Sequence, residues 1–132
     1  MADGAPIRFE AMATEDAMMK VVFLSGDLLF ASRVQGAAEA AGCTFQLAGQ
    51  LPEAEPGGAD EVGWIILDLA TRAGIVKEVA TEAPQRFPAA RLIAYGPHVQ
   101  VGRLKDARQV GVSEVLTRGQ FSSQLPRLFD PP

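Results

Sequence analysis

Polar and charged side chains follow four short apolar segments of the sequence. They are Ser25-Gly26-Asp27, Asp68, Gly96-Pro97-His98 and Thr117-Arg118-Gly119. If the apolar segments are strands of one parallel sheet, these residues meet beyond the carboxyl ends of the strands, where ligands bind in such sheets. Two carboxylates beside an arginine could supply a nucleophile, bind a divalent cation or form an ion pair. The non-catalytic interpretation is that Asp68 caps the following loop or pairs with Arg118.

Several other site chemistries are excluded by the sequence. No G-x-G-x-x-G follows the first strand, and Gly58 and Gly63, which have P-loop spacing, precede Trp64 where a lysine is required. No G-x-S-x-G nucleophile elbow occurs. The single cysteine, Cys43, and the single histidine, His98, exclude an internal disulfide, thiolate clusters and two-histidine zinc motifs. We expect Cys43 to be buried and His98 to lie in a rigid turn, and we predict no enzymatic activity.

The hydrophobic pattern alternates strands with helices. Short apolar runs predict strands at Val21–Leu24, Thr44–Ala48, Trp64–Leu67, Arg91–Tyr95 and Val112–Thr117. Spacings of three and four predict helices at Asp27–Ala41, Ala73–Ala83, Val101–Val110 and Phe121–Phe129. Pro84 and Pro88 are expected to close the second of these helices, and Ser122 or Ser123 to start the last, with Pro126 in its first turn. Residues 49–63, rich in Pro, Gly and acids, leave room for one or two helical turns.

This order predicts an α/β fold with a doubly wound, five-stranded parallel sheet in a three-layer α/β/α arrangement. The helix between the second and third strands should be short or missing. The length of 132 residues allows one domain, which we place at residues 20–130 after an N-terminal extension at 1–19. Residues 7–9 of the extension could add an edge strand, although a mobile arm or an oligomer contact is the expectation.

The charge and hydropathy of the sequence indicate which classes of partner and which location to expect. The net charge of −4 argues against nucleic acid and anionic membranes as partners. No apolar run is long enough to cross a bilayer and no secretory signal is present, so we expect a cytoplasmic protein. Residues 1–63 carry ten acids and three bases, a net charge of −7, whereas residues 64–132 carry six acids and nine bases, a net charge of +3.

The element order, together with Asp68 at the end of the third strand, resembles the response-regulator receiver (CheY-like) domains of two-component signalling, which have a flavodoxin-like fold. The resemblance covers about residues 20–129. It implies that Asp68 occupies the phospho-acceptor position. It also implies pocket positions at Ser25, Gly26, Asp27, Gly96, Pro97, His98, Thr117 and Arg118.

The sequence departs from the receiver pattern at several of these positions. Ser25-Gly26 stands where the family has the acidic pair that binds Mg²⁺, with Asp27 one place later. Gly96 replaces the switch Ser or Thr, and Arg118 replaces the family's lysine. The proline that normally follows that lysine is Gly119, so no cis peptide is expected there. The resemblance is therefore to a degenerate pseudo-receiver, in which phosphorylation is not expected and no cofactor is required.

Three functions follow from the resemblance, in order of preference. The first is a non-catalytic signalling and protein-interaction module. The second is a working receiver phosphorylated on Asp68, with Mg²⁺ held weakly by Asp27 and Asp68. The third is a flavodoxin-like domain that binds a small ligand in the same crevice.

The family resemblance also implies a partner surface. The partner would be a signalling kinase, an effector or a second copy of the chain, bound through the helix at Val101–Val110, the fifth strand and the helix at Phe121–Phe129. Arg103, Lys105 and Arg108 are expected on the outer face of the helix at Val101–Val110, either as solvated charges or as a docking surface for an acidic partner.

Overall fold

A computed structural model describes residues 19–54 and 61–131 of the chain. The described residues form a five-stranded sheet in the order β2-β1-β3-β4-β5, with every pairing parallel. The strands are β1 Met19–Leu24, β2 Thr44–Ala48, β3 Glu61–Asp68, β4 Arg91–Gly96 and β5 Glu114–Thr117. The helices are α1 Leu28–Ala40, α2 Leu69–Arg72, α3 Val76–Arg86, α4 Val101–Gln109 and α5 Arg118–Leu128, with a 3₁₀ turn at Ala73–Ile75.

The three central strands are buried on both faces, which explains their continuous apolar sequences. The segments 21–24 of β1 and 65–67 of β3 have no exposed surface, and neither do residues 93–95 of β4. Helices α1 and α5 cover one face of the sheet, where Val34 and Phe121 are buried. Helices α3 and α4 cover the other face, where Val79 and Leu104 are buried. The predicted doubly wound, three-layer fold is confirmed.

Two helix ends differ from the sequence prediction. Pro84 lies inside α3, in its last turn, instead of closing it, and its side chain is exposed, so the ring meets no buried neighbour. Helix α5 begins at Arg118, several residues before the serines expected to start it, because Thr117 and Gln120 form a reciprocal capping box. Pro126 consequently falls within α5 rather than in its first turn.

The helix ends that carry glycine follow the prediction. Gly42, with a φ of +82°, follows the end of α1, and Gly111, with a φ of +110°, follows α4. A left-handed residue at this position ends a helix, and glycine adopts it without steric cost.

The segment after β2 shows no helix over residues 49–54, in keeping with a short or missing second helix. Residues 55–60 lie outside the described residues. The N-terminal extension, residues 1–18, lies outside them as well, and Met19 already belongs to β1. No helix in the described part of the chain is both long and apolar enough to cross a membrane.

Candidate functional site

The carboxylate of Asp68 is the centre of the hydrogen-bond network at the carboxyl edge of the sheet. Asp68 ends β3, is fully buried and caps the first turn of α2 by accepting a hydrogen bond from Ala70 N–H on Oδ1, at 2.9 Å. Oδ2 accepts two more, from the hydroxyls of Ser25 at 2.7 Å and Thr71 at 2.9 Å. A buried carboxylate requires such partners, since an unpaired buried charge is costly. Asp68 therefore ties β3 to the end of β1 and to α2.

The backbone after β1 is bound to the same network. The N–H of Gly26 donates to Thr71 Oγ1 at 2.9 Å, and the N–H of Asp27 donates to Ser25 Oγ at 2.9 Å. Each hydroxyl thus accepts from the β1–α1 loop and donates to Asp68. The loop is held in one conformation by hydrogen bonds that converge on a single carboxylate.

Asp27 and Arg118 form the second part of the site. Asp27 caps α1 by accepting from Phe30 N–H at 3.0 Å, and its Oδ2 lies 3.4 Å from Arg118 Nη2. The Arg118 guanidinium also lies over the Phe30 ring, 4.3 Å from its centroid. The ion-pair partner of Arg118 is therefore Asp27 and not Asp68, so the expected Asp68–Arg118 ion pair is replaced by one that joins α1 to the start of α5.

The end of β4 is closed by packing. A Cβ atom built on Gly96 would lie 3.2 Å from Leu69 Cβ, which is tighter than ordinary carbon contacts. Pro97 accepts a hydrogen bond from Gln100 N–H at 2.9 Å in the turn that follows. His98 is exposed and makes no hydrogen bond within the described residues. The predicted turn is present, and within the described residues its histidine forms no ion pair with Asp27 or Asp68.

Tyr95 lies beneath the site, on the face of the sheet covered by α1 and α5. Its ring stacks on Phe121 with centroids 4.4 Å apart and packs against Phe30 at 5.7 Å. The buried phenolic oxygen has no hydrogen-bond partner in the described part of the chain. Burial raises the pKa of Tyr95 above its ordinary value, and the negative charge of Asp68 raises it further.

Comparisons with known proteins identify the fold. No protein-family model matches the sequence, and no curated protein is significantly similar to it. Solved structures do match. The chemotaxis response regulator CheY4 of Vibrio cholerae is 17% identical, with a TM-score of 0.58 over 84% of this chain and 98% of that one. The beryllofluoride-activated NtrC4 receiver domain dimer is 19% identical, with a TM-score of 0.57 over 85% and 97% of the two chains.

The chain has the fold of a response-regulator receiver domain. A larger response regulator from Burkholderia pseudomallei, solved with a phosphorylated aspartic acid, is 15% identical, with a TM-score of 0.55 over 76% of this chain. This chain spans 59% of the length of that protein. At these identities the likeness concerns the fold alone, and the chemistry of the receiver pocket has to be argued from the residues present.

The receiver pocket of this chain does not fit the Mg²⁺ that the family binds. Among residues 19–54 and 61–131, no three His, Cys, Asp or Glu side chains are grouped as a metal site. The Asp27 carboxylate is directed to a helix cap and an arginine, and Asp68 accepts from two hydroxyls and an N–H. Gly26 supplies no oxygen from a side chain, and its open side faces the Arg72 guanidinium. Mg²⁺ keeps several waters and binds through one or two carboxylates, and here both carboxylates already have partners within the chain.

The predicted basic face of α4 is present but divided. Arg103, Lys105 and Arg108 are all exposed. The guanidinium of Arg103 donates to the carbonyls of Leu69 at 3.1 Å and Ala70 at 3.2 Å, so it clamps α4 to α2. Lys105 and Arg108 have no such contact within the described residues and remain the basic groups of this face.

Sequence reasoning brought together Ser25, Asp27, Asp68 and Arg118 but missed Thr71, Arg72 and Tyr95. Thr71 stands three residues after Asp68, a spacing at which a side chain can return to a helix cap, so a local signal existed. No sequence signal indicated Arg72 or Tyr95, since their roles depend on which strands lie next to each other.

Proposed function

We propose that this chain is a non-catalytic signalling module of receiver type that acts through protein–protein contact, without phosphorylation of Asp68. The observation that supports this most directly is the environment of Asp68. Its side chain has no exposed surface, and both carboxylate oxygens accept hydrogen bonds from groups of the chain itself.

A phospho-accepting carboxylate must reach an incoming phosphoryl group. Attack by a carboxylate on an anionic phosphoryl group also requires a cation to neutralise the oxygens of both. Here Oδ2 already accepts hydrogen bonds from two hydroxyls, so it is not free to attack a phosphoryl group. The acidic pair that would hold the cation is missing as well. The nucleophile is present as a residue type, but its surroundings favour a structural role.

The receiver switch is missing as well. Gly96 stands where a hydroxyl would bond to the phosphoryl group, and Leu69 packs against it so closely that a larger side chain must displace its neighbour. The cation that would pair with the phosphoryl group, Arg118, is engaged with Asp27 and Phe30. A change at Asp68 would therefore not be transmitted by a switch hydroxyl or by an unpaired cation.

Titration with beryllofluoride and Mg²⁺, followed by ¹H–¹⁵N NMR, tests this proposal. A phospho-accepting receiver domain run in parallel serves as the positive control, and Asp68→Asn serves as the site control. We expect the wild-type spectrum to match that of the same sample without beryllium. Shifts around Asp68 that Asp68→Asn abolishes would establish the alternative, a working receiver with an unusual metal site.

The contact surface we propose is formed by α4, β5 and α5. Two exposed valines, Val99 and Val101, lie beside the basic residues Lys105 and Arg108, so the surface offers both apolar area and positive charge. A signalling kinase, an effector or a second copy of this chain could bind there, and the positive charge favours an acidic surface on the partner.

Sedimentation equilibrium at tens of micromolar tests the homodimer. The Lys105→Glu/Arg108→Glu variant should sediment as a monomer, whereas Lys77→Glu, an exposed charge reversal on α3, should remain a dimer. A wild-type chain that sediments as a monomer contradicts the homodimer and leaves other protein partners for the same surface.

A further inference from the structure

Arg72, at the end of α2, lies across two glycines at the carboxyl edge of the sheet. A Cβ built on Gly26 would lie 3.4 and 3.5 Å from its Nη1 and Nη2, and a Cβ built on Gly49 would lie 3.5 Å from Nη2. Gly26 follows β1 and Gly49 follows β2, so the guanidinium rests on the backbone where two neighbouring strands end. Larger side chains at either glycine would change the path of the arginine.

The charge of Arg72 has no carboxylate partner in the described part of the chain. Its one hydrogen bond there runs from Nη1 to the carbonyl of Thr71, at 3.0 Å, and the side chain is half-buried. The neighbouring residues connect it to the site directly. Thr71 donates to Asp68, and Gly26 donates to Thr71.

We infer that Arg72 is a built-in cation of the pocket, which occupies the space in front of Gly26 where a receiver's second acidic side chain would extend and which excludes a divalent metal. This inference rests on the proposed non-catalytic function and adds the reason why the pocket is independent of metal. The positive charge offsets the negative charges of Asp68 and Asp27, which would otherwise attract cations to this edge. Two glycines and one arginine thus replace a carboxylate and its metal.

The test restores the missing carboxylate with and without the arginine. Gly26 is exposed and does not have a positive φ, so Gly26→Asp places an acid there without backbone strain. The three proteins compared are Gly26→Asp, Gly26→Asp/Arg72→Ala and Gly26→Asp/Lys77→Ala. The last removes an equal charge from an exposed site on α3 and serves as the matched control.

Two measurements test how Arg72 affects a carboxylate at position 26. In ¹³C NMR titrations, the pKa of the carboxyl introduced at position 26 should lie below its value in the Arg72→Ala background by roughly half a unit or more, because an opposite charge favours the ionised form. Mn²⁺ binding, followed by paramagnetic broadening, should be roughly tenfold tighter in Gly26→Asp/Arg72→Ala than in Gly26→Asp, because a unit charge at a few ångströms has an effect of that size. The control, Gly26→Asp/Lys77→Ala, should have the same pKa at position 26 and the same Mn²⁺ affinity as Gly26→Asp.

Equal Mn²⁺ affinities with and without Arg72, or equal pKa values at position 26, would each overturn the inference. Both outcomes are separate from the proposed function, which depends on the wild-type response to beryllofluoride. A wild-type chain that accepts beryllofluoride with Mg²⁺ would refute the proposed function whatever the variants show. Thermal melts of all three proteins confirm that the compared samples are folded.

Discussion

At the scale of single residues, Asp68 is best understood as a structural carboxylate. It caps α2 and accepts hydrogen bonds from hydroxyls in two separate segments. Removing Asp68 or its partners should therefore lower the stability of the fold more than it changes any reaction. The sequence predicted the position of Asp68 and its closeness to Ser25, because the carboxyl ends of adjacent parallel strands meet. Of the two roles predicted for Asp68, the cap is observed and the ion pair with Arg118 is not, because Arg118 pairs with Asp27.

Ser25→Ala tests the role of the hydroxyl. The substitution leaves Asp68 buried with one hydrogen bond fewer and removes the acceptor of Asp27 N–H. Losing a hydrogen bond to a charged group costs about 1.5–3 kcal/mol, so the two losses together cost at least that amount. The free energy of unfolding, measured by urea denaturation, should fall by at least that amount. Ser32→Ala, which removes an exposed hydroxyl that donates to Leu29 O, should change it by less than about 0.5 kcal/mol. Equal effects of the two substitutions would contradict the structural role.

Tyr95→Phe tests the buried phenol. Because the hydroxyl is buried without a partner, removing it should leave the free energy of unfolding unchanged or raise it by about 1 kcal/mol at neutral pH. The stacked ring contacts with Phe121 are kept by phenylalanine. A loss of stability larger than about 1 kcal/mol would reveal a hydrogen bond that the phenol makes in solution.

The raised pKa of Tyr95 predicts a pH dependence. Below about pH 10 the phenol is neutral in both the folded and unfolded chain, so it does not change stability with pH. Above that pH the unfolded chain ionises first, because the folded pKa is the higher one, and stability falls as pH rises. Between roughly pH 10 and 11, wild-type protein should therefore lose stability more steeply than Tyr95→Phe. Parallel slopes in denaturation series across that range would contradict the prediction.

At the scale of elements, the strands were predictable and some helix ends were not. Residues 21–24 and 65–67 are continuous apolar runs because they are buried on both faces, and that pattern is visible without a structure. Helix α5 begins earlier than the apolar spacing predicts, because the Thr117–Gln120 capping box sets its start at Arg118. The end of α3 was placed too early, because an exposed proline is tolerated within its last two turns.

Gly96→Ser tests the packing between α2 and β4. The new side chain would restore a switch hydroxyl, but its Cβ would press on Leu69, so we expect a loss of about 1–3 kcal/mol from overpacking. Gly102→Ser, at a helical glycine with no atom near the new Cβ, should be neutral or stabilising. Thermal and urea denaturation of both variants give the comparison. A Gly96→Ser protein as stable as wild type would show that the end of β4 is not closed by packing.

At the scale of the whole molecule, the chain has the receiver fold, while several pocket positions carry residues that differ from the receiver pattern. Three arginines make contacts at this edge of the sheet: Arg72 lies over Gly26, Arg103 donates to the carbonyls of α2 and Arg118 pairs with Asp27. The overall charge follows from the sequence alone. The contacts of these three arginines depend on which strands are neighbours, so they could not be predicted without the strand order. The lack of an acidic pair and a switch hydroxyl was predictable, because those positions follow directly from the ends of the strands.

The most direct test of the non-catalytic account is intact-mass spectrometry after incubation with acetyl phosphate and Mg²⁺. Wild-type protein and Asp68→Asn should each give the same mass as before treatment, while a phospho-accepting receiver domain treated in parallel gains one phosphoryl group. A phosphoryl adduct on the wild-type chain that Asp68→Asn removes would contradict the account and establish Asp68 as a working phospho-acceptor.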